Sequence, residues 1–268
     1  MSSGISAEGR HQLAAVVAAA GRFIEPADAA RALDLDSKTA AQKLSRWAAQ
    51  GWVRRVRRGL YIAVPVDASN PAAWSEDPLI VANRVWSPCY FTGWTAARHW
   101  GLTEQVFQTT VVRTAERVRS GHVRLLDHDY ALSHVSSDEM TWGLRNEWLG
   151  DVRLRFASPA RTVVEVLDDP RLGGGPRHSA EILEQYLDEH DADELIAAAN
   201  QFANRAVFKR LGFLVERLGL EAPGLVDESL KRLSSGVSCL DPGGPIKGDV
   251  DRRWRLRVNA AVGAEGHS

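Results

Sequence analysis

The first 64 residues contain, in order, the signals of three helices and a short β-hairpin. Apolar spacing predicts helices over 7–20, from Pro26 to the turn at 34–36, and over 37–50, with Ser37 as the N-cap of the third. Two strands, 52–56 and 60–64, flank a turn in which Gly59 is expected to have a positive φ. Three helices followed by a hairpin are typical of a winged helix-turn-helix.

This segment is also where the positive charge of the chain lies. The window from Ser37 to Arg58 contains seven basic residues and no acidic one, although the formal net charge of the whole chain is −1. Residues 1–64 carry a net charge of +5 and the remainder a net charge of −6. A basic helix and hairpin on one small unit form the electrostatic footprint of a DNA-binding module.

The third helix is expected to enter the major groove, and the hairpin, or wing, to follow the DNA backbone or the minor groove. Gln pairs with adenine and Arg or Lys with guanine, and the N-terminus of a helix offers N–H groups to a phosphate. A solvated basic hairpin on a protein-interaction domain is the alternative interpretation. The predicted DNA-binding residues are Ser37, Lys38, Thr39, Gln42, Lys43, Arg46, Arg54, Arg55, Arg57 and Arg58.

The predicted fold class is α+β: a winged helix-turn-helix domain over 1–66 and a mixed α+β domain over 67–268. Residues 67–76 contain Pro, Ser and Asn and are predicted to be a linker. Strand-like runs occur between 106 and 156, and helical patterns dominate from 158 onward. A last strand over 254–258 is expected to return to the sheet, and the tryptophans, Trp148 among them, are expected to fill the core.

No pattern in the chain indicates an enzyme, a metal site or a cofactor. Asp127-His128-Asp129 with His134 reads as a polar turn, because neighbouring loop residues rarely face one ion. Cys89 and Cys239 are too far apart for a zinc ligand pair, and the Gly173–Pro176 run lacks the Lys-Ser/Thr of a phosphate loop. No apolar run reaches the length of a membrane span and no secretion signal is evident, so a cytoplasmic protein is expected.

Two charged segments of the second domain are candidate partner-binding surfaces. Residues 181–194 contain seven acidic residues and no Lys or Arg, and Glu184 and Asp188 are the candidates for contact with a basic partner. Lys209 and Arg210 lie on a later basic helix that could extend the DNA-binding surface. A solvated helix face is the simpler interpretation of both.

Several segments resemble AbiEi-type antitoxins. The winged-helix stretches 43–47 and 51–61 are similar to that family, as are Tyr90–Ala96, Ser158–Glu165, Arg210–Glu216, Leu240–Pro242 and Trp254–Asn259, in the expected order. Within the segment 158–165, Arg161 is expected to anchor the domain by hydrogen bonds.

The resemblance implies an antitoxin encoded beside a nucleotidyltransferase-like toxin, in systems linked to phage defence by abortive infection. Its N-terminal domain would repress the shared promoter at inverted repeats, and its C-terminal domain would counter the toxin, with direct contact not required. Two alternatives remain open: a regulator without a toxin, whose second domain senses a ligand or dimerises, and a DNA-targeted nuclease acting through Asp127 and Asp129.

Overall fold

The computed structural model describes residues 6–65 and 74–262. Most of the predicted linker, residues 67–73, lies outside the described residues. The chain divides into two compact units, Met1–Val81 with Arg124–Asp129, and Ala82–Val123 with Tyr130–Ser268. The predicted domain limits 1–66 and 67–268 stay a prediction.

The first unit has the predicted order of three helices and a hairpin. Its elements are α1 (Ala7–Ala20), β1 (Phe23–Ile24), α2 (Pro26–Leu33), α3 (Ser37–Ala49), β2 (Val53–Arg57) and β3 (Leu60–Ala63). The sequence did not predict β1, which pairs antiparallel with β3 and completes a sheet of order β1-β3-β2. Ala40, Leu44 and Trp47 of α3 are buried against Val16 and Ile24, so the apolar positions whose spacing predicts this helix form its inner face.

The second unit is a mixed sheet with helices, and the predicted α+β class is confirmed. Its strands β4 (Cys89–Phe91), β5 (Thr109–Thr114), β6 (His122–Leu125), β7 (His128–His134), β8 (Leu144–Leu149) and β9 (Val152–Ala157) form a sheet of order β6-β7-β5-β4-β9-β8. Strand β4 runs parallel to β9, whereas β8 and β9 form an antiparallel hairpin. Residues Arg124–Asp129, which include the turn between β6 and β7, group with the first unit.

The helices of this half of the chain are α4 (Pro78–Trp86), α5 (Gly93–His99), α6 (Pro159–Asp168), α7 (Pro176–Glu189), α8 (Ala192–Gln201), α9 (Ala206–Leu218) and α10 (Leu225–Lys231). Every residue of α6 from Pro159 to Leu167 is buried. Helix α6 therefore forms the centre of the larger core. Among the described residues, no helix is long and apolar enough to cross a membrane.

The expectation that 254–258 returns to the main sheet is wrong. The final strand β12 (Leu256–Arg257) pairs instead with β10 (Ser238–Cys239) and β11 (Val250–Asp251) in a separate small sheet. Trp254 explains this position, because its buried indole packs on Gly212 of α9, where any side chain would overlap the ring. Its Nε1 donates a hydrogen bond of 2.6 Å to Glu216, which ties the C-terminal segment to α9.

Candidate nucleic-acid interface

Helix α3 begins with a cap that differs from the predicted one. The N-cap is Asp36, whose carboxylate accepts hydrogen bonds from the backbone N–H groups of Lys38 and Thr39 at 2.9 and 3.0 Å. The Thr39 hydroxyl also donates to this carboxylate, at 2.5 Å, and these hydrogen bonds hold the pKa of Asp36 below its ordinary value. The prediction of Ser37 as the cap is therefore wrong, because a carboxylate one position earlier satisfies the free N–H groups.

This cap changes what the start of α3 can offer to DNA. The N–H groups of Lys38 and Thr39 are occupied, and the charge at the helix terminus is negative. Binding of a DNA phosphate at the N-terminus of α3, which the sequence predicted, is therefore disfavoured. The exposed residues of the helix are Ser37, Lys38, Thr39, Gln42, Ser45, Arg46 and Ala49, and its outer face includes Lys38, Gln42 and Arg46.

Lys43 is only partly exposed and has contacts within the unit. Its Nζ donates to Gln12 Oε1 of α1 at 2.6 Å and lies 5.4 Å from the centre of the Trp47 ring. Lys43 therefore links α3 to α1, and its ammonium is less available to DNA than the charged groups of Lys38 and Arg46.

The tip of the wing presents Arg57 and Arg58. Gly59 has a φ of 76°, as predicted for this turn, and the β2–β3 register shifts between Arg55 and Arg57. Arg57 and Arg58 are exposed, and neither guanidinium makes a hydrogen bond or ion pair with another described residue. Both guanidinium groups are thus available to a phosphate backbone.

Arg55 is exposed, but contacts with neighbouring side chains hold its guanidinium in place. Its guanidinium donates to Ser45 Oγ and to the Tyr61 hydroxyl, both at 3.1 Å, and lies over the Tyr61 ring. Because Ser45 is on α3, this contact connects the helix to the wing.

Arg54 differs from the arginines at the tip of the wing. Its side chain is 19% exposed and donates to the carbonyl of Trp74 at 2.5 Å and to Asp127 at 2.7 Å. The hydrogen bond and charge of Arg54 hold the pKa of Asp127 below its ordinary value. That Arg54 contacts DNA stays a prediction, but its guanidinium already has a carboxylate partner and is less available than those of Arg57 and Arg58.

On the hypothesis that this unit binds DNA, Arg54→Ala should weaken binding to a DNA fragment less than about threefold, and Arg57→Ala about tenfold, as expected when one phosphate is no longer neutralised. Fluorescence anisotropy with both variants at one salt concentration measures the difference. Equal reductions in affinity would mean that Arg54 leaves Asp127 for the DNA.

Within the window from Ser37 to Arg58, the exposed cations lie on the outer face of α3 and on the wing: Lys38, Arg46, Arg55, Arg57 and Arg58. We call these five residues the basic face. No acidic residue lies between the first and the last of them.

The charged candidates of the second unit divide into two groups. Glu184 and Asp188 are exposed on α7, whereas Lys209 and Arg210 are buried in α9. Lys209 donates to the carbonyl of Gly236, and Arg210 donates to the carbonyls of Cys239 and Leu167, each at 2.9 Å. The expectation that Lys209 and Arg210 form a partner-binding surface needs correction, because both side chains hold segments of their own chain together.

Asp127, in the turn before β7, and Asp129, near the start of β7, both have arginine partners. Asp127 pairs with Arg54, and Asp129 pairs with Arg124 at 3.0 Å. Within the ranges 6–65 and 74–262, no three His, Cys, Asp or Glu residues are grouped as metal ligands would be.

A buried ionic cluster in the second unit was not predicted as a whole. Glu165, with no exposed surface, lies 2.8 Å from Arg161 Nε and 3.2 Å from Arg113. The Tyr90 hydroxyl donates to it at 2.8 Å and the Thr92 hydroxyl also donates to it. Burial raises the pKa of Glu165, but the two arginines and the Thr92 hydroxyl outweigh burial and hold it below the ordinary value.

The expectation that Arg161 anchors the domain is confirmed. Besides Glu165, its guanidinium donates to the carbonyls of Glu139 and Trp142 at 2.8 and 2.5 Å. Because its partners are spread along the chain, the only sign of this cluster in the sequence is the i, i+4 spacing of Arg161 and Glu165.

Two comparisons with known proteins are informative. Residues 11–64 match the model of a family described as "Transcriptional regulator, AbiEi antitoxin", which confirms the resemblance over this segment. The chain is also similar to the crystal structure of the RV2827C protein from Mycobacterium tuberculosis, with a TM-score of 0.69 and 13% identity over 95% of this chain and 92% of that one. At this identity the similarity concerns the fold alone. No curated protein matches the sequence.

Proposed function

We propose that this protein is a transcriptional repressor and antitoxin that binds the promoter of its own toxin–antitoxin operon and acts in the cytoplasm. The observation that carries the proposal is the basic face on a winged helix-turn-helix, in the segment that matches the regulator family. Like charges concentrated on one face repel each other unless a polyanion neutralises them. Double-stranded DNA with an inverted repeat is the proposed ligand.

In the proposed complex, α3 enters the major groove with Lys38, Gln42 and Arg46 near the base edges. Gln42 can pair with adenine, and Lys38 or Arg46 with guanine. Arg55, Arg57 and Arg58 contact phosphates or the minor groove from the wing. Asp36 keeps phosphates away from the end of α3, so the wing supplies most of the backbone contacts.

Binding of the full-length protein to a fragment of its own promoter tests the proposal. The logarithm of the affinity should fall linearly with the logarithm of the salt concentration, with a slope of about −3 to −5 for contacts by most of the basic face. A shuffled fragment of the same length serves as the control. Equal affinity for both fragments, or no binding at low salt, would contradict a sequence-specific repressor.

We further propose that the α+β unit counteracts a nucleotidyltransferase-like toxin encoded by the neighbouring gene. Its exposed acidic surface on α7, with Glu184 and Asp188, suits a basic partner if contact is direct. Co-expression with the neighbouring gene product, scored by growth, tests this role. If the double variant Glu184→Lys, Asp188→Lys rescues growth as well as the native chain does, the acidic surface is not needed to counter the toxin. If the native chain does not rescue growth, the antitoxin role is contradicted.

A further inference from the structure

Strand β8 is an exposed edge of the six-stranded sheet. It pairs with β9 and is last in the strand order, so within the described residues its outer side has no partner strand. Trp148 on this strand is 69% exposed, which corrects the expectation that it fills the core. Open edges with large apolar side chains are templates for pairing with another strand.

One hydrogen bond shows which backbone groups of β8 face outward. The N–H of Ser158 donates to the carbonyl of Gly143 at 2.8 Å, and the register continues without a shift from Leu144–Ala157 to Leu149–Val152. Hydrogen-bonded and non-hydrogen-bonded pairs alternate along an antiparallel ladder. The N–H and C=O groups of Leu144, Asn146 and Trp148 therefore point away from β9.

The side chains of β8 are complementary to those of an identical strand. If Asn146 lies opposite Asn146 of an antiparallel second copy, Leu144 lies opposite Trp148, and Arg145 lies opposite Glu147. The Arg145–Glu147 positions are then non-hydrogen-bonded pairs, in which Cα atoms approach to about 4.5 Å and side chains are close. The side chains of Arg145 and Glu147 make no hydrogen bond or ion pair with another described residue, and their nearest charge effects are those of Glu147 on His99 and of Arg145 on Tyr186.

The same charges exclude the adjacent registers. Outward-facing groups must meet outward-facing groups, so the next allowed registers place Arg145 opposite Arg145 or Glu147 opposite Glu147. Like charges directly opposite each other destabilise a strand pair. Only the register centred on Asn146 combines opposite charges with six backbone hydrogen bonds, two from each of three pairs.

We propose that β8 mediates a twofold homodimer in which two copies of the chain join their sheets edge to edge. The interface is isologous, because each copy contributes the same strand and each Arg145 meets a Glu147. A single strand pair is a small interface, so the dimer is expected to form at micromolar concentration.

Charge exchange tests the proposed register. Sedimentation velocity of the full chain over a concentration series should show a monomer–dimer equilibrium. Arg145→Glu or Glu147→Arg alone should raise the dissociation constant at least about thirtyfold, since each puts like charges opposite each other twice. The double variant, with both exchanges, should return to within about threefold of the native value, because the two charges again meet.

Arg252→Glu, at an exposed position outside β8, is the control for a change in net charge. Circular dichroism checks that each variant is folded. A native chain that stays monomeric at about 100 μM overturns the proposal, as do single variants that dimerise like the native chain. If the single variants do not dimerise and the double variant does not recover dimerisation, the Asn146-centred register is wrong.

The dimer is separable from the proposed DNA binding. A twofold dimer has the symmetry of an inverted repeat, but β8 contains none of the basic face. The variant Arg57→Glu, Arg58→Glu should therefore dimerise like the native chain. If the native chain dimerises but does not bind the promoter fragment, the proposed function alone is contradicted.

Discussion

Replacing both arginines at the wing tip, Arg57→Glu with Arg58→Glu, is expected to reduce affinity for the promoter fragment at least about a hundredfold. Each substitution removes a cation from the DNA backbone and adds an anion that repels it. In a salt titration of the double variant, the slope should also become shallower by about two, one for each phosphate that the wing no longer neutralises.

The reduced affinity should arise from the interface and not from misfolding. Arg57 and Arg58 are exposed, and within the described structure neither guanidinium holds another residue by a hydrogen bond or ion pair. Thermal unfolding of the double variant should therefore match that of the native chain.

Arg117→Glu with Arg119→Glu is the matched control, because it changes the net charge equally at two exposed positions of the second unit. This control should retain affinity within about threefold, since long-range charge effects are screened over about 10 Å at 0.1 M salt. Equal reductions in both double variants would show that net charge, and not the wing, governs binding.

Glu165→Ala is expected to destabilise the second unit by about 3–5 kcal/mol, because it leaves buried arginines without their carboxylate. Arg161 and Arg113 both pair with Glu165, and Arg161 has no exposed surface. Chemical denaturation at neutral pH, followed by circular dichroism, measures the destabilisation. A change below about 1 kcal/mol would show that the arginines find other partners or water.

Glu165→Gln separates the charge from the shape of the side chain. The folded-state pKa of Glu165 lies below its ordinary value of 4.5, so its contribution to stability is present above about pH 4.5. This contribution is lost as the pH falls through the folded-state pKa. The free-energy difference between the native chain and Glu165→Gln should therefore be largest at neutral pH and shrink on acidification. A difference that is constant with pH would mean that the charge of Glu165 does not stabilise the fold.

Features that depend on residues close together in the sequence could be predicted, and features that depend on distant residues could not. The bounds of α1, the inner face of α3 and the conformation of Gly59 depend on neighbours within a few residues, so periodicity and turn chemistry were sufficient. The cap of α3 was missed by one position, because Asp36 and Ser37 are both good caps and only the carboxylate reaches two N–H groups.

The placement of long charged side chains was beyond the reach of local patterns. Arg54 and Arg57 look alike in the sequence, yet Arg54 pairs with Asp127, which is 73 positions away. Lys209 and Arg210 read as a basic surface, but the segments around Gly236 and Cys239 cover them.

By itself, the sequence determined the winged-helix pattern of the first unit, the segregation of positive charge onto it and the α+β class. These properties depend on composition and on spacings within single elements. The tertiary structure alone decided which charges remain free for a partner, how Glu165 is neutralised and that β8 is an open edge. Burial and pairing of a charge depend on which distant segments pack against it, because desolvation must be offset by a partner that local spacing does not specify.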